Sequence, residues 1–100
     1  MYFVQAGGPG GPIKIGSSAD VSGRLETLQT YSPTELRVLA TVPGGLPDEQ
    51  ALHRLFAPFS LRGEWFRPHP LVLDYIVNMN RRLRGEILDT GMPMDDGDVQ

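Results

Sequence analysis

Apolar and polar positions change period several times along the chain, and each change marks an element. The opening "MYFVQA" is β-branched and aromatic and reads as a strand, and "GGPGGP" after it is a strong loop signal. "PIKIG" reads as a short second strand, so residues 1–16 form a hairpin with a glycine-rich connection. "SSAD" offers side-chain oxygens to the free N–H groups of a first helical turn, and a helix is expected over about 20–30 with Val21, Leu25 and Leu28 as its apolar stripe. Arg24 flanks that stripe, about 60° from Val21 at 100° per residue. "TELRVLATV" alternates as a third strand, with Leu36, Val38 and Ala40 on one face and Arg37, Leu39 and Thr41 on the other, until "PGGLP" ends it.

A second helix is expected over about 47–57, opened by Pro47, Asp48 and Glu49 and packed through Leu52, Leu55 and Phe56. "LRGEWFRP" reads as a turn and a short extended piece. A third helix over about 70–84 carries Val72, Tyr75, Ile76, Met79 and Leu83 at helical spacing, with Arg81, Arg82 and Arg84 in its last turn, where the dipole favours cations. The pattern predicts an α+β fold in the order ββαβαα: a small three-stranded, mostly antiparallel sheet flanked by helices.

Length and charge narrow this further. One hundred residues make one small domain. The longest apolar runs fall far short of the roughly 18 residues needed to span a bilayer, so no membrane partner is expected. No basic region followed by an apolar core opens the chain, and a cytoplasmic location is expected. The chain has no cysteine, which excludes disulfides and thiolate metal sites. The net charge of −3 is uneven: residues 86–100 hold five acidic residues and no Lys or Arg, leaving nine basic and seven acidic residues in 1–85. The expected organisation is a folded body over 1–85, with a charge near +2, and an acidic, disordered tail over 86–100.

There is no P-loop, Rossmann glycine fingerprint, zinc spacing or serine nucleophile elbow. What remains is a set of polar residues on separate elements: Tyr2, Lys14, Arg24, Glu49, His53 and Glu64. Lys14 sits between two isoleucines, the strand stops at Gly16, and Arg24 follows ten residues after Lys14. A scaffold has little need of that arrangement, whereas a phosphate site does.

The ordered set "YFVQ", "IKIG" with Arg24 behind it, "EQALHRLF" and "RGEWFRP" resembles the GIY-YIG nuclease superfamily, in its small branch common in phages and bacteria. The resemblance covers residues 1 to about 77. It implies a three-stranded antiparallel sheet with flanking helices, a metal-dependent endonuclease that hydrolyses DNA, and one divalent ion, Mg²⁺ or Mn²⁺. Tyr2 takes the tyrosine position of the first motif, with Met1 where part of the usual Gly-Ile stands. Lys14, followed by Ile15 and Gly16, takes the place of the second motif's tyrosine, as in some restriction-type members. Arg24 matches the helix arginine, Glu49 the metal glutamate, and Glu64 is characteristic of the branch.

Phosphodiester hydrolysis gives these residues work. A hard cation held by Glu49 contacts phosphate oxygens, and Arg24 supplies fixed positive charge to the transition state. Tyr2 or Lys14 deprotonates or orients the attacking water, and His53, one turn after Glu49, holds its carboxylate or shuttles a proton. Arg54, Arg62 and Arg67 are candidate DNA contacts.

Singly, each residue also has an ordinary structural role. Tyr2 is strand packing, Arg24 a helix flank, Glu49 a dipole partner, His53 a satisfied histidine, and Trp65 and Phe66 core aromatics. Two competing readings follow: the same fold binding nucleic acid without cutting it, and a protein-interaction module. A body charge near +2 implies weak DNA affinity alone, and so a homodimer or a partner subunit.

Overall fold

The structure, a computed structural model, describes the backbone of residues 1–91 and the side chains of residues 1–83. The elements are β1 (Tyr2–Ala6), β2 (Ile13–Gly16), α1 (Val21–Tyr31), β3 (Leu36–Thr41), α2 (Leu46–Leu55), a 3₁₀ turn (Ala57–Phe59), β4 (Ser60–Arg62), β5 (Trp65–Phe66) and α3 (Pro70–Gly91). One sheet carries all five strands in the order β3-β1-β2-β5-β4, each neighbouring pair antiparallel.

The α+β class is as expected, but the three-stranded sheet and the order ββαβαα are corrected. "LRGEWFRP" forms a β-hairpin on the free edge of β2, with Ile13 opposite Phe66 and Lys14 opposite Trp65. Strands of three and two residues are too short for a period of two to be read along them, and here the pairing with β2 defines them.

The third strand also departs from simple alternation. Phe3 faces Ala40 while Val4 faces Val38, so the ladder slips by one residue and Leu39 is the extra one. A bulge of this kind puts Val38 and Ala40 on opposite faces and turns Leu39 toward the core, where it packs.

The core lies on one face of the sheet. Phe3, Ile13, Ile15, Ala40 and Phe66 meet Leu52 of α2, Phe56 just past its end, and Val72 and Ile76 of α3. Leu55 does not join them and is 61% exposed. The inward arc of α2 runs through Leu52, Phe56, Glu49 and His53, and at 100° per residue Leu55 falls about 110° from its middle. The arc thus spends two of its positions on a carboxylate and an imidazole.

Tyr75, Met79 and Leu83 of α3 pack on the core as their spacing predicts. Before the helix, the His69 ring stacks on Phe59 at 4.0 Å, and its Nδ1 accepts from the Leu71 N–H. The helix continues past the expected end near 84 to Gly91, and residues 92–100 of the expected tail lie outside the described residues. Among the described residues no helix is long and apolar enough to cross a membrane.

The second face of the sheet carries Tyr2, Val4, Lys14, Gly16 and Trp65, which follow from the same register. α1 packs beside β3, with Val21, Leu25 and Leu28 half-buried and none fully so. Asp20 caps the helix by accepting from the Gly23 N–H at 3.1 Å.

Candidate active site

The alternation of β2 sends Ile13 and Ile15 into the core and leaves Lys14 on the opposite face. Its Nζ lies 2.9 Å from Glu64 Oε1 and 5.6 Å from the centre of the Trp65 ring. Glu64 stands in the β4–β5 turn just after Gly63, whose φ of 54° is cheap for glycine and strained for other residues. The Glu64 carbonyl accepts from the Ile15 N–H at 3.0 Å, so backbone and side chain both tie this turn to β2.

At the end of β2, Gly16 makes room for Tyr2. A Cβ at Gly16 would meet Tyr2 Cζ and Oη at 2.5 Å, so the phenol head lies directly against this glycine. Tyr2 is fully buried, and its hydroxyl has no hydrogen-bond partner among the described residues. The next residue, Ser17, donates through Oγ to Glu49 Oε2 at 3.3 Å. Glu49 is only 3% exposed, an unusual depth for a carboxylate. One turn on, His53 Nε2 donates to the Ile15 carbonyl at 2.9 Å, which places a proton on Nε2 and leaves Nδ1 as the acceptor of the neutral ring.

The two carboxyl groups perturb each other. Burial first, then the charge of Glu64 and a hydrogen bond with it, push the Glu49 carboxyl above the ordinary 4.5, against the opposing pull of His53 and Ser17. Burial raises Glu64 as well, but the Lys14 ammonium outweighs it through hydrogen bond and charge, helped by Glu49 and His53, and the net direction is down. Glu64 therefore carries the negative charge beside Lys14, while Glu49 is the carboxyl inclined to hold a proton.

Of the residues expected at a site, Lys14, Glu49, His53 and Glu64 converge, and Tyr2 and Gly16 lie beside them along β1 and β2. Arg24 is exposed on α1, with no hydrogen bond or ion pair among the described residues. Arg54, Arg62 and Arg67 are exposed on α2, on β4 and just beyond β5. The proton-shuttle role expected of His53 is restricted, since Nε2 is occupied by a backbone carbonyl and only Nδ1 remains for it.

Two neighbours were not foreseen from the sequence. The sequence offers Ser17 only as a helix cap, although its place directly after a strand-ending glycine is a further signal. Trp65, expected in the core, stands on the second face beneath Lys14.

The donor set suits a hard divalent cation. Two carboxylates lie side by side, one of them buried with its charge disfavoured, and the Tyr2 hydroxyl against Gly16 has no partner among the described residues. Among the described residues no three His, Asp or Glu side chains form a cage. Mg²⁺ is commonly held by one or two carboxylates, with phosphate oxygens and waters completing its shell, so a two-carboxylate set fits.

A sequence model described as the T5orf172 domain matches residues 1–82. Comparison with curated proteins and with solved structures returns no match.

Proposed function

The chain belongs to the T5orf172 domain family, and from that premise we propose a metal-dependent endonuclease-like domain, related to the GIY-YIG nucleases, that hydrolyses DNA phosphodiester bonds. The observation that supports this most is the convergence of one ammonium and two carboxyls, Lys14, Glu64 and buried Glu49, at the end of β2. No packing need calls for two carboxyl groups in contact on the inward arc of a helix and the turn facing it.

Glu49, with Glu64 beside it, would hold Mg²⁺ or Mn²⁺, which when bound withdraws charge from the phosphate oxygens and the leaving 3′ oxygen. Ser17 fixes the Glu49 carboxylate by donating to Oε2. Glu64 holds the Lys14 ammonium toward the second face of the sheet, where it attracts a phosphate group and keeps it in register. In the reaction a water oxygen bonds to phosphorus and gives its proton to solvent, and the P–O3′ bond breaks as O3′ takes a proton from solvent.

Lys14 paired to a carboxylate serves this as a cation, so the water-orienting role falls to the Tyr2 hydroxyl, which has no partner among the described residues and is buried against Gly16 until bound DNA opens it to the attacking water. Arg24, solvent-facing on α1 and without an ion pair among the described residues, closes onto the non-bridging oxygens as negative charge grows there. The arginines at 54, 62 and 67 add weak, salt-sensitive contacts, and a homodimer or partner subunit supplies the further affinity that a body charge near +2 lacks.

The experiment is cleavage of plasmid, branched and single-stranded DNA with and without Mg²⁺ or Mn²⁺. Glu49→Gln and Arg24→Ala should each lose orders of magnitude in rate with the fold intact. The Lys14–Glu64 pair favours one competitor, a domain that binds DNA without cutting it, because the pair neutralises the cation nearest the site. Salt-sensitive binding without metal-dependent cleavage on any of these substrates would select that competitor.

A further inference from the structure

A cavity of about 310 Å³ opens on the second face of the sheet, between the C-terminal half of α1 and β5. Leu28, Tyr31, Pro33, Leu36 and Trp65 give it mostly apolar walls. Tyr31 is 83% exposed and Trp65 half-buried, so two aromatic side chains border a slot that the described residues do not fill. Phe66, by contrast, is 1% exposed and belongs to the core.

Two cations flank the slot, one of them Lys14, which Glu64 pairs at 2.9 Å. Lys14 stands over the Trp65 ring with its Nζ 5.6 Å from the ring centre. Arg24 lies on the same face of α1 as Leu28 and Tyr31, at the i, i+4, i+7 spacing, about one helical turn from the slot wall toward the end of β2. A ligand that fits both features has a flat apolar ring and a phosphate attached one short linker away.

We propose that this slot binds one unpaired nucleobase of the DNA strand, stacked against Trp65 and Tyr31, while its phosphate is held by Lys14 and Arg24. The inference rests on the nuclease reading for the polymer it names, but the slot itself needs no metal and no cleavage. Its consequence is a substrate preference: a strand with an exposed base enters, whereas a base locked in a duplex stack has to be drawn out first. Stacking tolerates any base, so the preference is for unpaired structure and not for sequence.

Trp65 is the single tryptophan of the chain, and its fluorescence reports the slot directly. The titration uses the Glu49→Gln protein in EDTA, with an oligothymidylate, a strand of equal length made of abasic sites, and a fully paired duplex. Saturable quenching by the oligothymidylate, much weaker quenching by the other two, and about a tenfold loss of affinity in Tyr31→Ala are expected. Tyr31 is exposed, so its replacement leaves the fold in place, and unchanged circular dichroism checks this. Equal quenching by the abasic strand, an affinity within about twofold in Tyr31→Ala, or no quenching by either strand would overturn the slot. Base-dependent quenching without cleavage by the wild-type protein would remove the nuclease reading alone. Cleavage without base-dependent quenching would remove the slot alone.

Discussion

Tyr2→Phe should make this protein more stable and less active. The Tyr2 ring is fully buried, its hydroxyl lies against Gly16, and no group among the described residues hydrogen-bonds it. A buried hydroxyl without a partner costs about 1–3 kcal/mol of desolvation, and phenylalanine removes that cost while keeping the ring in its packing. Against this stands the small void left by one oxygen, which takes back part of the gain. The expected net is about 1 kcal/mol of added stability, or a rise in Tm of about 4–8 °C for a domain of this size. Urea denaturation of both proteins, with an unchanged m-value, measures it. DNA cleavage by the variant should fall by about 10²-fold, a loss that a stabilised fold cannot explain by unfolding. A loss of 1 kcal/mol or more in Tyr2→Phe would refute the reasoning, because it would mean that the hydroxyl already has a good partner.

Gly16→Ala should cost about 1–3 kcal/mol, since its Cβ would lie 2.5 Å from Tyr2 Cζ and Oη, and the penalty should largely vanish when Tyr2 is leucine, as a double-mutant cycle by urea denaturation can show. Glu49 titrates above 4.5 in the folded protein, so the native state binds more protons than the unfolded one between that value and its raised pKa. Stability should therefore fall as pH rises through this window and stay lowered above it, and the fall should be absent in Glu49→Gln. Glu64 runs the other way: its lowered carboxyl adds stability above 4.5 that is lost as pH falls through its folded pKa, and Lys14→Met should abolish that part. Arg24→Ala should leave the urea midpoint unchanged, since the side chain is exposed and has no ion pair among the described residues, while slowing cleavage by at least about 10²-fold.

Much of the fold was legible because the elements that announce themselves are long enough to show a period. α1 and α2 begin within a residue of where Asp20 and the Pro47–Asp48–Glu49 run place them, and the β1–β2 hairpin follows from "GGPGGP" between two apolar runs. What escaped reading depends on partners distant in sequence. β4 and β5 exist through pairing with β2, and the Leu39 bulge depends on how β3 meets β1. The exposure of Leu55 follows from which arc of α2 turns inward, and that arc is chosen by the site as well as by the core.

The site shows the same division. Lys14 between Ile13 and Ile15 had to face away from the core, and Glu49 and His53 had to share one side of a helix. The contact between Glu49 and Glu64 joins residues 15 positions apart through a turn whose geometry Gly63 sets, and no spacing rule reports it. Arg24 was placed on the right helix, but its reach into the site depends on a ligand to close upon.

The most direct test of the account is the rate at which the purified protein nicks supercoiled plasmid in Mg²⁺ or Mn²⁺, compared with Glu49→Gln and with the wild-type protein in EDTA. Nicking that needs the ion and disappears in Glu49→Gln, while that variant stays folded, is expected. Nicking that persists in Glu49→Gln at the wild-type rate, or none with either ion on plasmid, branched and single-stranded DNA, would contradict it.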